Sequence, residues 1–346
     1  MLESLELYNF RNLSQISLDF SKNINLITGF NGSGKSSILE SIYYLARGRS
    51  FRSANSSVMI NDEQQSFIIR AILENDTILA SERYRNGQVN HKLNGNVCNT
   101  MLSLSEHLPL LFLDTDSQRW LAAGPKNRRK TIDWGLFYGR NAEFYEVWKG
   151  FQRGLLQRNA AIKSGMEFWA WDPSFVKYSQ MLNQLRQEYV QNLQEVFLEI
   201  WVDCNLGQDW GEIELAYHPG WSNDLLQSLD ASRERDRHLG YTNVGPHRSD
   251  LSIRVGGKLA QTHLSQGQQK LLTYAITAAQ AHLYQIDTAR SCLLLLDDLC
   301  AELDLEKRAA IVNFLVEGEH QIIITGVVAD EISGILPEGC HHILMS

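Results

Sequence analysis

The chain has 346 residues, 44% of them hydrophobic, enough for two domains or for one large domain with an insertion and a well-buried core. Its formal net charge of -8 excludes a global positive field that would draw it to nucleic acid or an anionic membrane, so any such surface is local. The five scattered cysteines form no C-x-x-C pair, the amino terminus has no basic-then-apolar leader, and the longest aliphatic run, CLLLLDD, is far too short for a bilayer; a reduced, cytoplasmic, non-membrane protein is expected.

Alternation in Leu5 and Leu7, then in Ile16, Leu18 and Phe20, predicts an opening hairpin, and Ile24 to Thr28 reads as a buried strand entering a glycine-rich turn. A helix from about Lys35 to Ala46 follows, then short strands at Phe67 to Leu73 and Ile78 to Arg83. From about Arg128 to Val202, apolar residues at three- and four-residue spacing in segments rich in Leu, Gln, Arg and Glu predict a helical insertion. Alternation returns at Leu251 to Val255. Beyond it come a helix (Gln268 to Ile286), a strand (Cys292 to Leu296), a helix (Leu305 to Val316) and a strand (Gln321 to Thr325). Strand-helix repetition enclosing a helical middle predicts one α/β head, residues 1–114 and 212–346, interrupted by a lobe over 115–211.

The stretch GFNGSGKS satisfies G-x-x-x-x-G-K-[ST] between a strand and a helix. Its residues Gly29, Phe30, Asn31, Gly32, Ser33, Gly34, Lys35 and Ser36, with Ser37 after them, are the candidate ATP site. Backbone N–H groups from Asn31 to Ser36 would wrap the phosphates at a positive helix end, Lys35 would neutralise β and γ oxygens, and Ser36 would ligate Mg²⁺. The run CLLLLDD ends a hydrophobic strand in two acids. Asp297 is placed to hold magnesium through water, and Asp298 to orient or deprotonate the attacking water. A second phosphate-binding turn stands at HLSQGQQKLL, where Ser265 can cap a helix, Gly267 permits close approach and Gln268 propagates the helix. Neighbouring His341 and His342 have no third ligand nearby and suggest no metal site.

In this order, GFNGSGKS, LSQGQQK, LLLLDD and AELD resemble the ATP-binding-cassette superfamily. The resemblance implies an SMC/Rad50-like P-loop head whose Ser-x-Gly-Gln turn completes the ATP site of a second copy. Ser265, Gly267 and Gln268 would then act in trans, and Asp304, at the end of Ala301 to Asp304, would cross the dimer seam. Thr325 would stand where transporters carry a switch histidine. Asp298 in place of the usual glutamate implies slow hydrolysis, suited to a switch.

Within the superfamily, LELYNFRNL, GRSFRS, GPKNRRKTIDWGLF, QRNAAI and VGPHRSDL resemble the RecF family of bacterial recombination mediators, nearly end to end. That resemblance implies a weak, DNA-stimulated ATPase that dimerises on ATP. It would bind junctions of single- and double-stranded DNA and act with RecR and RecO in loading RecA during gap repair, replication restart and the SOS response. The alternative is an ATPase subunit acting through protein partners or transport. In LFLDTDSQRW, Asp116 is the candidate for the magnesium-sensing acid that the family places after a Pro. Two basic groups are candidate phosphate contacts for DNA, Arg47, Arg49 and Arg52 after the first helix, and Arg128, Arg129 and Lys130 with Lys126. The tryptophans around the lobe, at helical spacing, read as core.

Overall fold

The structure is a computed structural model describing residues 1–117, 119–139, 141–207, 210–298, 305–326, 336 and 339–345. The chain divides into two compact units, Met1–Ser117 with Ala289–Ser346, and Gln118–Thr288. In chain order the first unit starts with β1 (Leu2–Phe10), β2 (Leu13–Asp19), β3 (Ile24–Gly29), α1 (Lys35–Arg47), β4 (Ser66–Leu73), β5 (Thr77–Tyr84), β6 (Val89–Leu93), β7 (Asn96–Cys98), α2 (Leu102–Ser105) and β8 (Leu110–Leu113). The second unit has α3 (Arg119–Ala122), α4 (Pro125–Tyr138), α5 (Phe144–Lys163), α6 (Asp172–Asp203), β9 (Ile213–His218), α7 (Leu225–Leu239), β10 (Asp250–Val255), β11 (Lys258–Leu259), α8 (Ala260–His263) and α9 (Gln266–Thr288). The chain returns to the first unit with β12 (Leu293–Leu296), α10 (Leu305–Glu317), β13 (Gln321–Gly326) and β14 (His341–Met345).

Among the described residues, the first unit has two sheets: an antiparallel one in the order β2-β1-β4-β5-β6-β7 and a parallel one in the order β14-β3-β13-β12-β8. The inner parallel strands are buried along their whole length, which is why INLITG, LLLL and QIIITG are continuous apolar runs rather than alternations. On β1 the alternation does its usual job: Leu5 and Leu7 point into the core and their neighbours do not. Helix α1 supplies Ile38, Leu39, Ile42, Tyr44 and Leu45 to a core shared by Phe67 and Ile69 of the antiparallel sheet and Ile27, Leu295 and Ile323 of the parallel one. The helix ends on Gly48, whose φ of 67° lets its N–H reach back to the Tyr44 carbonyl.

The second unit, Gln118–Thr288, is larger than the lobe expected over 115–211. Strands β9, β10 and β11 form their own antiparallel sheet. Gln194 of α6 fastens its edge, donating to the Ile213 carbonyl at 3.1 Å and accepting from the Leu215 N–H. Helix α9 likewise packs on this unit's helices, with Gln280 donating to Thr131 O at 2.9 Å and to the Tyr189 hydroxyl at 3.3 Å. At the unit's centre Arg158, with 0% exposure, pairs with Asp172 at 2.8 Å and Asp236 at 2.7 Å while its guanidinium lies over Phe168. No described helix is long and apolar enough to cross a membrane.

Candidate nucleotide-binding site

The phosphate loop leaves β3 at Gly29 and enters α1 at Lys35. A side chain at Gly29 would come within 2.5 Å of the Met345 carbonyl and 2.8 Å of Ser33 Oγ, so only glycine lets β14 and the loop approach this closely. Gly34 caps α1 in the left-handed region (φ 103°) with no side-chain hydrogen bond, leaving the first-turn N–H groups open at the positive end of the helix. Lys35, 9% exposed, arches back so that Nζ donates to Gly29 O at 2.6 Å and Phe30 O at 2.9 Å. Ser33 Oγ is buried without a hydrogen-bond partner. Open amides, a buried cation and an unsatisfied hydroxyl make a cradle for phosphate oxygens.

Asp297 directly follows β12. Its Oδ1 accepts from Ser36 Oγ at 3.1 Å and from Thr325 Oγ1 at 2.7 Å. The same Thr325 oxygen accepts the Asp298 N–H at 3.0 Å, with Asp298 held at a φ of 55° and its side chain exposed. Burial pushes the Asp297 carboxyl above the ordinary carboxylate range; hydrogen bonds from Thr325 and Ser36 pull it back, and the charges of Asp298 and Asp114 push it further up. A carboxylate destabilised by two acidic neighbours beside a serine hydroxyl is a donor set of hard oxygens, which fits Mg²⁺. The structure brings together the side chains of Ser36, Asp297 and Thr325 and the backbone N–H of Asp298.

The structure places three of the expected residues as follows. The acid whose charge bears on Asp297 is Asp114, where Asp116 was expected. Parallel pairing sets Leu113 opposite Leu296, so the next residues, Asp114 and Asp297, emerge together. Asp114 is fixed by Ser117, whose Oγ donates to it at 2.9 Å, and Asp116 is exposed. Arg128 is 6% exposed, its guanidinium committed to Asp250 at 2.8 Å and to the Leu121 carbonyl, so it braces the second unit. Arg129 is half-buried and donates to the Ser249 carbonyl.

Lys126 and Lys130 remain exposed on α4, as do Arg49 and Arg52 in the first unit, whereas Arg47 donates to Leu110 O at 2.9 Å. Around Arg52 the loop is nested on Ser50, which accepts the N–H groups of Arg52 and Ser53 and donates to the fully buried Glu40.

Ser265 and Gln268 form a reciprocal cap on α9: the Gln268 N–H donates to Ser265 Oγ at 3.3 Å, and the Ser265 N–H to Gln268 Oε1 at 2.9 Å. Ser265 Oγ accepts in this pair, so its hydroxyl proton is left to donate outward. Gly267 lies within the first turn, and Asp304 falls outside the described residues. Sequence reasoning also missed Asn12, which reaches the phosphate loop from the β1–β2 turn; the only signal was an ordinary turn asparagine.

The family profile for the RecF/RecN/SMC N terminal domain matches residues 1–335. The chain is 35% identical over 340 residues to the DNA replication and repair protein RecF of Actinobacillus pleuropneumoniae, spanning 96% of this chain and 93% of that one. It is 36% identical over 333 residues to the protein of the same name from Shewanella sp. (strain MR-4), spanning 93% and 91%. Among solved structures, the recombination mediator protein RecF-ATPrS in the RecFOR pathway shares the fold, with a TM-score of 0.83 at 24% identity over 96% of this chain and 93% of that one. An Smc head bound to the C-winged helix domain of ScpA matches at 0.59 and 18% identity, over 96% and 91%. Kinship at 35% identity spans 96% of this chain, and the chain belongs to the RecF family.

Proposed function

We propose that this chain is an ATP-gated DNA-binding switch of replication and gap repair, two copies of which close on ATP and part after hydrolysis. The observation supporting this most is the meeting of Ser36 and Thr325 on Asp297 at the mouth of an uncapped helix N-terminus. Lys35 and the loop amides bind the triphosphate, and Ser36 and Asp297 would hold Mg²⁺, which would offset charge on the phosphate oxygens. Asp298 orients the attacking water from a backbone position fixed by Thr325. Its side chain is one methylene shorter than glutamate, which favours slow turnover and a long-lived closed state.

In the closed state Ser265, Gly267 and Gln268 serve the γ-phosphate of the second copy. The Ser265–Gln268 cap supports this role because it orients the turn while sparing the serine's proton. DNA meets exposed cations, with Arg49, Arg52 and Lys130 the candidates, at junctions of single- and double-stranded segments. RecR and RecO are the protein partners through which RecA is loaded, in line with the RecFOR pathway to which the solved relative is assigned.

The test is retention of gapped DNA over a salt series with ATP, ADP or no nucleotide. Retention that needs ATP and falls steeply with salt is expected. Retention indifferent to nucleotide would overturn the gating and favour a head that works through protein partners.

A further inference from the structure

The turn between β1 and β2 grips the phosphate loop. Asn12 Nδ2 donates to the Gly32 carbonyl at 2.9 Å, and its Oδ1 accepts from Ser37 Oγ at 3.0 Å, so one amide ties the middle of the loop to the first turn of α1. The next residue, Leu13, covers the loop's last glycine, since a side chain at Gly34 would meet Leu13 Cδ2 at 2.6 Å. On the other side Arg11 is bolted to α1 through two bonds to the buried Glu40, at 2.9 and 2.6 Å, and a third to Val58 O at 2.9 Å. The turn is therefore a rigid arm, and Asn12 is its tip.

Besides the Asn12 bond, the Gly32–Ser33 peptide is held by one bond, from the Ser33 N–H to Phe30 O at 3.1 Å. Gly32 is in the left-handed region (φ 91°), which glycine enters without a Cβ penalty, with open space where a side chain would stand. In a planar trans peptide the Gly32 carbonyl and the Ser33 N–H point in opposite directions. Pinning that carbonyl outward keeps the Ser33 N–H on the inner side, where it now donates to Phe30 O at 3.1 Å. A flipped peptide would present carbonyl lone pairs to an anion.

We propose that Asn12 is a positioning residue for nucleotide binding, a latch that keeps the Gly32–Ser33 peptide in its donor orientation. The proposal rests on the phosphate-loop reading above. The bond to Gly32 is exposed and the bond to the buried Ser37 only partly so, so the latch adds little to global stability, and its loss should register in nucleotide affinity instead.

The experiment titrates wild type, Asn12→Ala and Lys35→Ala with ATP and with ADP, and pairs this with the nucleotide-free melting temperature and hydrogen exchange over residues 30–37. The expected result for Asn12→Ala is an unchanged melting temperature, faster exchange in the loop, and about tenfold weaker binding of ATP and ADP alike, because the latched amide belongs to the part of the cradle that holds the phosphates common to both. Affinity within about twofold of wild type, or a melting temperature that falls in step with affinity, would overturn it. A wild type that binds neither nucleotide would sink the phosphate-loop reading itself, a result distinct from failure of the latch.

Discussion

Thr325 joins Asp297, the carboxylate proposed to hold Mg²⁺, to Asp298, the acid proposed to orient water, and Thr325→Val tests that joint with almost no change of shape. The side chain is 1% exposed at the end of β13, so the isosteric valine keeps the packing and removes only the hydroxyl. Asp297 then loses a charge-assisted bond of 2.7 Å, an interaction of about 1.5–3 kcal/mol, and the Asp298 N–H loses its acceptor, at about 1 kcal/mol.

The Thr325 bond lowers the Asp297 pKa, which burial has raised, so its removal moves that carboxyl further up. Metal needs the ionised form. Binding of Mg²⁺·ATP is lost as pH falls through the folded-state pKa, and in the variant that loss begins at a higher pH. At neutral pH the variant should bind Mg²⁺·ATP about tenfold more weakly, recover as pH rises, and lose little affinity for ATP in EDTA. Thr325→Ser, which keeps the hydroxyl, should behave as wild type. The assay is a fluorescent-ATP titration at several pH values with and without Mg²⁺. An unchanged pH midpoint in Thr325→Val would refute the reasoning.

Other perturbations have equally definite outcomes. Asp298→Asn should slow hydrolysis and prolong the ATP-bound dimer, read by phosphate release and size-exclusion chromatography; wild-type turnover would remove Asp298 from the water-orienting role. Arg158→Met should destabilise the second unit by about 3–5 kcal/mol, since Asp172 and Asp236 would be left buried without their cation, and urea unfolding measures it.

His247 is held down at about 4 by burial, against an ordinary 6.5, and its Nε2 bonds the Thr242 carbonyl at 2.8 Å. The unfolded chain takes up this proton first, so stability should fall as pH drops from about 6.5 toward 4, by on the order of 3 kcal/mol in total. His247→Gln should flatten that slope in pH-dependent unfolding.

Local chemistry was legible in the sequence. The phosphate loop is contiguous, its strand and helix flank it directly, and LLLL followed by two acids marks a buried parallel strand with carboxylates at its end. Tertiary register was not. Asp114 and Asp116 lie two residues apart, and only the pairing of Leu113 with Leu296 decides which of them faces Asp297. The run KNRRK reads as one basic face, yet helical geometry turns Arg128 inward to a carboxylate 122 residues away and leaves Lys126 and Lys130 outside. Nor does the alternation of IELAYH say which sheet it joins. It pairs with β10 in the second unit.

The central claim is that each molecule completes its neighbour's triphosphate site, and mixing two inactive variants tests it most directly. Lys35→Ala lacks the loop's cation and Ser265→Arg blocks the turn offered to the partner, so neither should hydrolyse ATP alone. In a mixture, a dimer that pairs the two variants contains one intact composite site out of two, so hydrolysis should return, to at most about half of wild type. No recovery on mixing, or full hydrolysis by Ser265→Arg alone, would contradict the account.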